Sequence, residues 1–254
     1  MLKATIPHAE SSYLRCAAYF PTSEAEGIRI SFPESKSLRS RKIVTRSRAR
    51  KTGKLPSWKM ARMIQWESDN ERIVFRILDG DTTVKAFFEQ PFKVCYVSEG
   101  VDRIHFPDVL IEFHDGIEVW EIKDSRSSDR SGAISRTNLL VPLFAQLGIR
   151  YRLVFVNKKC QTGIEAYSLS MLRLGRLPIT QIEREFSRRA FTQQKAMFWS
   201  EIRAGSLGER GPNIVARLLL EGELTSSDRS RALSPETKIF ASFRKEPLVA
   251  EWRS

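Results

Sequence analysis

Phe106-Pro107-Asp108-Val109-Leu110-Ile111-Glu112-Phe113-His114-Asp115-Gly116-Ile117-Glu118-Val119-Trp120-Glu121-Ile122-Lys123 is the stretch on which the reading of this chain turns. Apolar and alternating runs lie on either side of Asp115-Gly116, a pair that favours tight turns, so the stretch reads as a β-hairpin. Asp108 then heads the first strand, and Glu121 and Lys123 come near the end of the second. Residues two apart on a strand share a face, so Glu121 and Lys123 point one way and Ile122 the other. A carboxylate and an ammonium beside a second carboxylate can hold a Mg²⁺-type cation, which takes one or two carboxylates and keeps water and phosphate oxygens as its other ligands. Such an ion lowers the pKa of a bound water and stabilises charge building on a phosphate, with Lys123 orienting the water or offsetting that charge. The same residues also fit a surface hairpin whose Glu118, Glu121 and Lys123 are merely solvated.

Upstream of the hairpin, Ser68-Asp69-Asn70-Glu71 has the Ser-x-x-Glu form of a capping box. Ile73, Val74, Ile77 and Leu78 follow at helical spacing, and the helix is expected to end before Asp79-Gly80-Asp81. Two readings stand for Glu71: the capping carboxylate at N3, or a third acid brought beside the hairpin. Thr83 to Val97 is rich in β-branched and aromatic residues and reads as two strands broken at Gln90-Pro91. Ser98-Glu99-Gly100 turns the chain back, and the hairpin is expected to begin at Arg103-Ile104-His105. His105 is close enough in sequence to Asp108 to touch a site there; the bland alternative is a partly exposed strand start.

Downstream, Ile134 to Leu147 reads as a helix that Pro142 kinks or splits and Gly148 ends. Tyr151 to Val156 is a buried-type strand. Helix, strands, hairpin, helix and strand make an α/β mixed sheet flanked by helices. Beyond it, Tyr167 to Arg176 reads as a short amphipathic helix. Thr180-Gln181-Ile182-Glu183 opens another through Phe191 and toward Trp199. Asn213 is expected to cap a third, ended by Gly222, before a short hairpin and tail. Three small helices and a hairpin fit a winged-helix-like module, which can bind DNA or another protein. Arg184, Arg188 and Arg189 alternate with Glu183 and Glu185, the pattern of a solvated face, which favours a protein partner.

The net charge of +12 is unevenly spread. Lys36, Arg39, Arg41, Lys42, Arg46, Arg48, Arg50, Lys51, Lys54 and Lys59 fall in a stretch with no Asp or Glu between Glu34 and Glu67. A single-sign block seeks an opposite partner, and the counterions of DNA phosphates supply the driving force; Arg41, Lys42, Arg46, Arg48, Arg50, Lys51 and Lys54 are the candidate DNA contacts. Residues 1 to about 34 show no sustained periodicity and read as an arm with little structure of its own. The expected division is therefore a basic arm over 1–54, a sheet domain over 55–158 and a helical domain over 159–254. No run approaches the ~20 apolar residues of a membrane span, and the amino terminus lacks the apolar core of a secretory signal. Three separated cysteines, Cys16, Cys95 and Cys160, are expected to be reduced and buried, as in a cytoplasmic protein.

Four features, taken together, resemble the TnsA family of transposon-end endonucleases, a branch of the PD-(D/E)xK nucleases. They are the basic segment leading to Lys54 and Trp58; Trp66-Glu67-Ser68-Asp69-Asn70-Glu71; Phe88-Glu89-Gln90-Pro91-Phe92; and Phe106-Pro107-Asp108 with Glu121-Ile122-Lys123. The match spans residues 40 to 156. The resemblance implies a restriction-endonuclease-like sheet followed by a winged-helix-like domain, with Glu71, Asp108, Glu121 and Lys123 as catalytic residues and Glu67 in reserve for Glu71. It implies Mg²⁺, with Mn²⁺ as substitute, held by Asp108, Glu121 and Glu71. It further implies cutting of the 5′ strands at transposon ends in a bacterial cytoplasm, on double-stranded DNA, beside a DDE-type transposase and an AAA+ ATPase regulator. Two other readings stay open: a stand-alone nuclease of repair or defence, and a non-catalytic DNA-binding accessory protein.

Overall fold

The structure, a computed structural model, describes residues 16–20, 22–33, 40, 51–126, 130–242 and 247–253. These form a mixed α/β architecture that divides into two compact units. The first takes the described residues up to Arg72 together with Val84–Asn157; the second takes Ile73–Thr83 and the described residues from Lys158 onward. Arg41, Lys42, Arg46, Arg48 and Arg50 lie outside the described residues, whereas Lys51 and Lys54 are described and exposed.

The first unit holds two four-stranded sheets. One runs β1 (Glu24–Ala25), β2 (Ile28–Ser31), β6 (Lys93–Ser98) and β7 (Val101–His105), all antiparallel. The arm expected to lack structure therefore supplies two strands, and Cys16, Phe20, Ile28 and Ile30 are buried in the core. The period-2 alternation Ile28-x-Ile30 is too brief to mark a strand by itself; its partner β6, over sixty residues away, makes it one. The segment Val101–His105 is a strand of this sheet too, paired with β6 across Glu99-Gly100, and is not the start of the Asp108 hairpin.

The second sheet has the order β10-β9-β8-β5. β5 (Val84–Glu89) pairs antiparallel with β8 (Val109–Phe113), and β8 with β9 (Ile117–Asp124), in the register Val109↔Trp120 to Glu112↔Ile117. The expected hairpin is present, closed by Phe113 N–H donating to the Gly116 carbonyl at 2.8 Å. The central strand β9 is buried on both faces along Glu118–Ile122, which suits its run of Val, Trp and Ile. Helix α2 (Arg130–Gln146) is the crossover from β9 to the parallel strand β10 (Arg150–Val156). Pro142 neither splits it nor ends it: the loss of one backbone hydrogen bond is outweighed where Ala133, Leu140 and Phe144 are fully buried. A two-stranded hairpin, β3 (Gly53–Pro56) with β4 (Met63–Trp66), completes the unit. It is fixed to β5 by a buried fork: Arg62 Nη1 and Nη2 donate to Glu89 Oε1 and Oε2 at 2.8 and 2.6 Å.

Helix α1 (Asp69–Gly80) follows the capping box, and Ile73, Val74, Ile77 and Leu78 are all buried as their spacing predicts. It runs on through Asp79 and Gly80, whose packing against Ser168 leaves no space for a Cβ.

In the second unit, α3 (Lys158–Leu174) is longer than expected. Thr180 caps α4 (Gln181–Gln194) with the full capping box, its hydroxyl accepting from Glu183 N–H. The helix stops at Gln194, and Trp199 begins a separate short helix, α5 (Trp199–Arg203), after strand β11 (Ala196–Phe198). Helix α6 (Gly211–Glu221) already includes Asn213, whose side chain bonds the Leu174 carbonyl and does not cap. Gly222 ends α6 at φ 77°. Strands β12 (Leu224–Ser226) and β13 (Lys238–Ala241) form a hairpin, with β13 central in the order β11-β13-β12. Arg184 is not a solvated charge: it pairs with Glu221 at 2.7 Å and also with Glu223, and Arg188 reaches Glu223 at 3.0 Å. A short helix, α7 (Ala250–Arg253), closes the described chain. Among the described residues no helix is long and apolar enough to cross a membrane. Cys16 is buried and Cys95 half-buried, and both are free thiols.

Candidate functional site

The first unit brings Asp108, Glu121 and Lys123 together, and Glu71 lies within reach of their charges. Asp108 immediately precedes β8, where Gln90 N–H donates to its carbonyl at 3.0 Å and fixes the strand entry against the end of β5. Its Oδ2 accepts from Ile122 N–H at 2.6 Å. Thus the aspartate side chain is tied to the backbone between the other two motif residues. Glu121, 2 % exposed, and Lys123 lie on the same face of β9, with Lys123 Nζ 3.0 Å from Glu121 Oε1. Glu71 sits in the first turn of α1, 6 % exposed.

Glu71 keeps its capping geometry, and Asp108 feels its charge. Its backbone N–H donates to Ser68 Oγ at 3.2 Å, and its carboxylate accepts from Ser68 Oγ at 3.0 Å and from Glu67 N–H at 2.9 Å. It caps the helix, and it also feels the charge of Lys123. Glu67 supplies its backbone N–H and a neighbouring negative charge.

The electrostatics follow from burial. Burial pushes the Glu71 carboxyl up to about 7, against the pull of the Glu67 N–H and the Ser68 hydroxyl. Burial, followed by the charges of Glu121 and Glu71, holds Asp108 well above the ordinary carboxylate range. Glu121 goes the other way: burial would raise it, but His105 and Lys123 outweigh burial and bring it to about 2. For Lys123 burial works downward, and the Glu121 carboxylate more than reverses that. The cluster thus splits into one firmly ionised carboxylate and two that carry protons readily, the division expected of acids forced close together.

Three further side chains complete the cluster. His105 Nε2 stands 3.0 Å from both Glu121 Oε2 and Tyr151 Oη, and its single proton can serve only one of them at a time. Arg136 Nη2, from α2, reaches Glu121 Oε1 at 2.9 Å. Of these, sequence reasoning raises His105 and misses Arg136 and Tyr151. Arg136 does carry a signal: it stands between Ala133 and Leu140 on the buried stripe of α2, where an apolar residue belongs. Tyr151 carries none, because its β10 run looks like any buried strand.

The donor set suits a hard divalent cation: carboxylate oxygens only, two of them inclined to trade a proton for a metal, and Glu121 Oε2 buried without a hydrogen-bond donor when His105 serves Tyr151. The carboxylates are, however, each turned to a partner within the chain. Among the described residues no three Asp, Glu, His or Cys side chains are gathered as a ready-made metal cage.

No protein-family model matches the chain, and no curated protein matches it.

Proposed function

We propose that this chain is a divalent-cation-dependent DNA endonuclease of the PD-(D/E)xK type, similar to TnsA, cutting the 5′ strands at transposon ends beside a DDE-type transposase and an AAA+ ATPase regulator. The observation that carries the reading is the hydrogen bond from Ile122 N–H to Asp108, which holds Asp108 against the backbone that carries Glu121 and Lys123. A mixed sheet with α1 leading in and α2 crossing between parallel β9 and β10 supports a restriction-endonuclease-like core. In the second unit, the order α4, β11, α5, α6 and the hairpin β12–β13 supports a winged-helix-like module. Burial of Ile214, Val215, Leu218 and Leu219 on α6, with Ile182 83 % and Phe186 54 % exposed on α4, favours a protein partner over DNA for that module.

Mechanistically, Asp108, Glu121 and Glu71 would hold Mg²⁺ or Mn²⁺. The ion supplies Lewis acidity toward a phosphodiester and a more acidic water. Lys123, kept protonated by Glu121, donates toward the attacking water or the charge that grows on the phosphate. His105 stands at the far oxygen of Glu121, and Tyr151 Oη meets the same ring nitrogen. Exposed Lys51 and Lys54 present cations to the DNA backbone.

The test is plasmid nicking with Mg²⁺, with and without a candidate recombinase. Nicking by the chain alone supports a stand-alone nuclease; nicking only with the recombinase supports the transposon role. A second reading, a non-catalytic DNA-binding protein, draws on the hydrogen bonds that already satisfy Asp108 and Glu71. Binding without nicking in either condition would favour it.

A further inference from the structure

Glu121 is served by more positive charge than one carboxylate needs. Lys123 Nζ and Arg136 Nη2 both approach its Oε1, at 3.0 and 2.9 Å, while His105 stands at Oε2. The Arg136 guanidinium has five donors in a rigid fork. One of them, Nε–H, is buried and has no hydrogen-bond partner among the described residues. About a quarter of the side chain, 26 %, remains open to solvent. A buried, unused N–H on a fixed guanidinium is costly unless something arrives to take it. The helix places Arg136 where its apolar stripe would carry an aliphatic residue, so its charge is turned toward Glu121 on the sheet. Glu121 Oε1 therefore acts as a perch that aims the fork, and leaves the remaining donors for a second, larger anion.

We propose that Arg136 is the phosphate-anchoring residue of this site, binding a non-bridging oxygen of the DNA phosphodiester next to Lys123. The proposal rests on the nuclease reading and adds to it a residue that touches the substrate. The two cations divide the work by shape. Lys123 is a compact point charge suited to a water or a single oxygen, whereas the planar Arg136 fork matches the paired oxygens of a phosphate. Shared use of Glu121 Oε1 keeps them side by side, so the phosphate bound by one lies within reach of the other.

The experiment compares full-length wild type, Arg136→Ala and Arg136→Lys on duplex DNA in which one phosphate at a time is replaced by neutral methylphosphonate. Binding is read with Ca²⁺, and cutting with Mg²⁺. In wild type, one replacement should weaken binding by roughly ten- to hundredfold, as expected for loss of a charge-assisted hydrogen bond. In Arg136→Ala that same replacement should cost nothing more, and cutting of unmodified DNA should fall about 10²- to 10³-fold. Arg136→Lys, which keeps the charge and loses the fork, should fall between. The Ca²⁺-induced rise in melting temperature should be no smaller than that of wild type in either variant, since Arg136 is not a cation ligand and its charge opposes a cation at Glu121. If every replacement costs Arg136→Ala as much as wild type, the anchoring role is wrong, even where wild type cuts and Asp108→Ala does not. If wild type cuts and so does Asp108→Ala, the nuclease reading itself has failed at its site. If wild type binds but never cuts, the methylphosphonate coupling alone decides for or against Arg136. A chain that binds no duplex DNA overturns both.

Discussion

Asp108 Oδ2 accepts a hydrogen bond from the Ile122 backbone N–H at 2.6 Å, so the two halves of the Pro-Asp and Glu-x-Lys pattern are joined by a direct bond. Ile122 contributes only its backbone to this. Its side chain points to the opposite face, where it is 5 % exposed. That geometry lets Glu121 and Lys123 face the same side as Asp108 while the strand remains part of the core.

Substitution of Asp108 or Lys123 by Ala is expected to lower Mg²⁺-dependent nicking by at least about 10²- to 10⁴-fold, the range for removing a group that moves a proton or stabilises charge. DNA affinity should fall far less than nicking, because the basic stretch proposed to meet the phosphates lies elsewhere. Gel-shift and nicking assays on the same preparations check this. Normal nicking by both variants would show that the site lies elsewhere.

Protons and a divalent cation compete for the same carboxylate oxygens. With Glu71 near 7, Mg²⁺ should raise the melting temperature more at pH 8 than at pH 6, and Mn²⁺ should do likewise. Glu71→Gln should reduce that pH dependence. An equal shift at both pH values would separate Glu71 from the cation.

Arg62 and Glu89 form a two-pronged ion pair that is almost wholly buried, with side-chain exposures of 8 % and 0 %. Arg62→Ala takes both prongs away from the buried Glu89 charge, which keeps the Gln65 N–H. A loss of about 3–5 kcal/mol is expected in urea unfolding. A cost under about 1 kcal/mol would mean the β3–β4 hairpin does not depend on this anchor.

The second unit should show its own acid sensitivity. Burial would raise Glu221, but Arg184 and Arg217 outweigh it and hold the carboxyl below its ordinary value of 4.5. A group lowered in the folded state stabilises fully above its unfolded pKa and loses that contribution as pH falls through the folded one. Glu183 has the same sign, lowered by the Thr180 N–H and hydroxyl. Glu221→Gln should therefore cost stability at pH 7 and much less near pH 3. Urea melts across that interval, followed by tryptophan fluorescence, give the comparison; parallel curves for variant and wild type would contradict it.

Replacing Arg41, Lys42, Arg46, Arg48, Arg50, Lys51 and Lys54 by Ser should weaken DNA binding and flatten its dependence on salt, by about one unit of slope for each phosphate no longer neutralised. An unchanged slope would show that the basic stretch does not touch DNA.

Elements with local signals are legible in the residues alone. Asp115-Gly116 between apolar runs set the hairpin, Ser68 and Glu71 the start of α1, Thr180 and Glu183 the start of α4, and Gly222 the end of α6. Each is a matter of turn chemistry, capping or spacing within a few residues. Strand alternation alone puts Glu121 and Lys123 on one face. The remaining features depend on segments that are distant in the chain. Ile28–Ser31 is a strand because β6 pairs with it, and Val101–His105 belongs to that sheet for the same reason. Arg136 reaches Glu121 because a crossover helix lays it over β9, and Tyr151 meets His105 because β10 runs parallel to β9. Ion-pair partners far apart in the chain, such as Arg62 with Glu89 and Arg184 with Glu223, leave no mark in local periodicity. A charge buried by distant neighbours looks, in the sequence, the same as a charge in water.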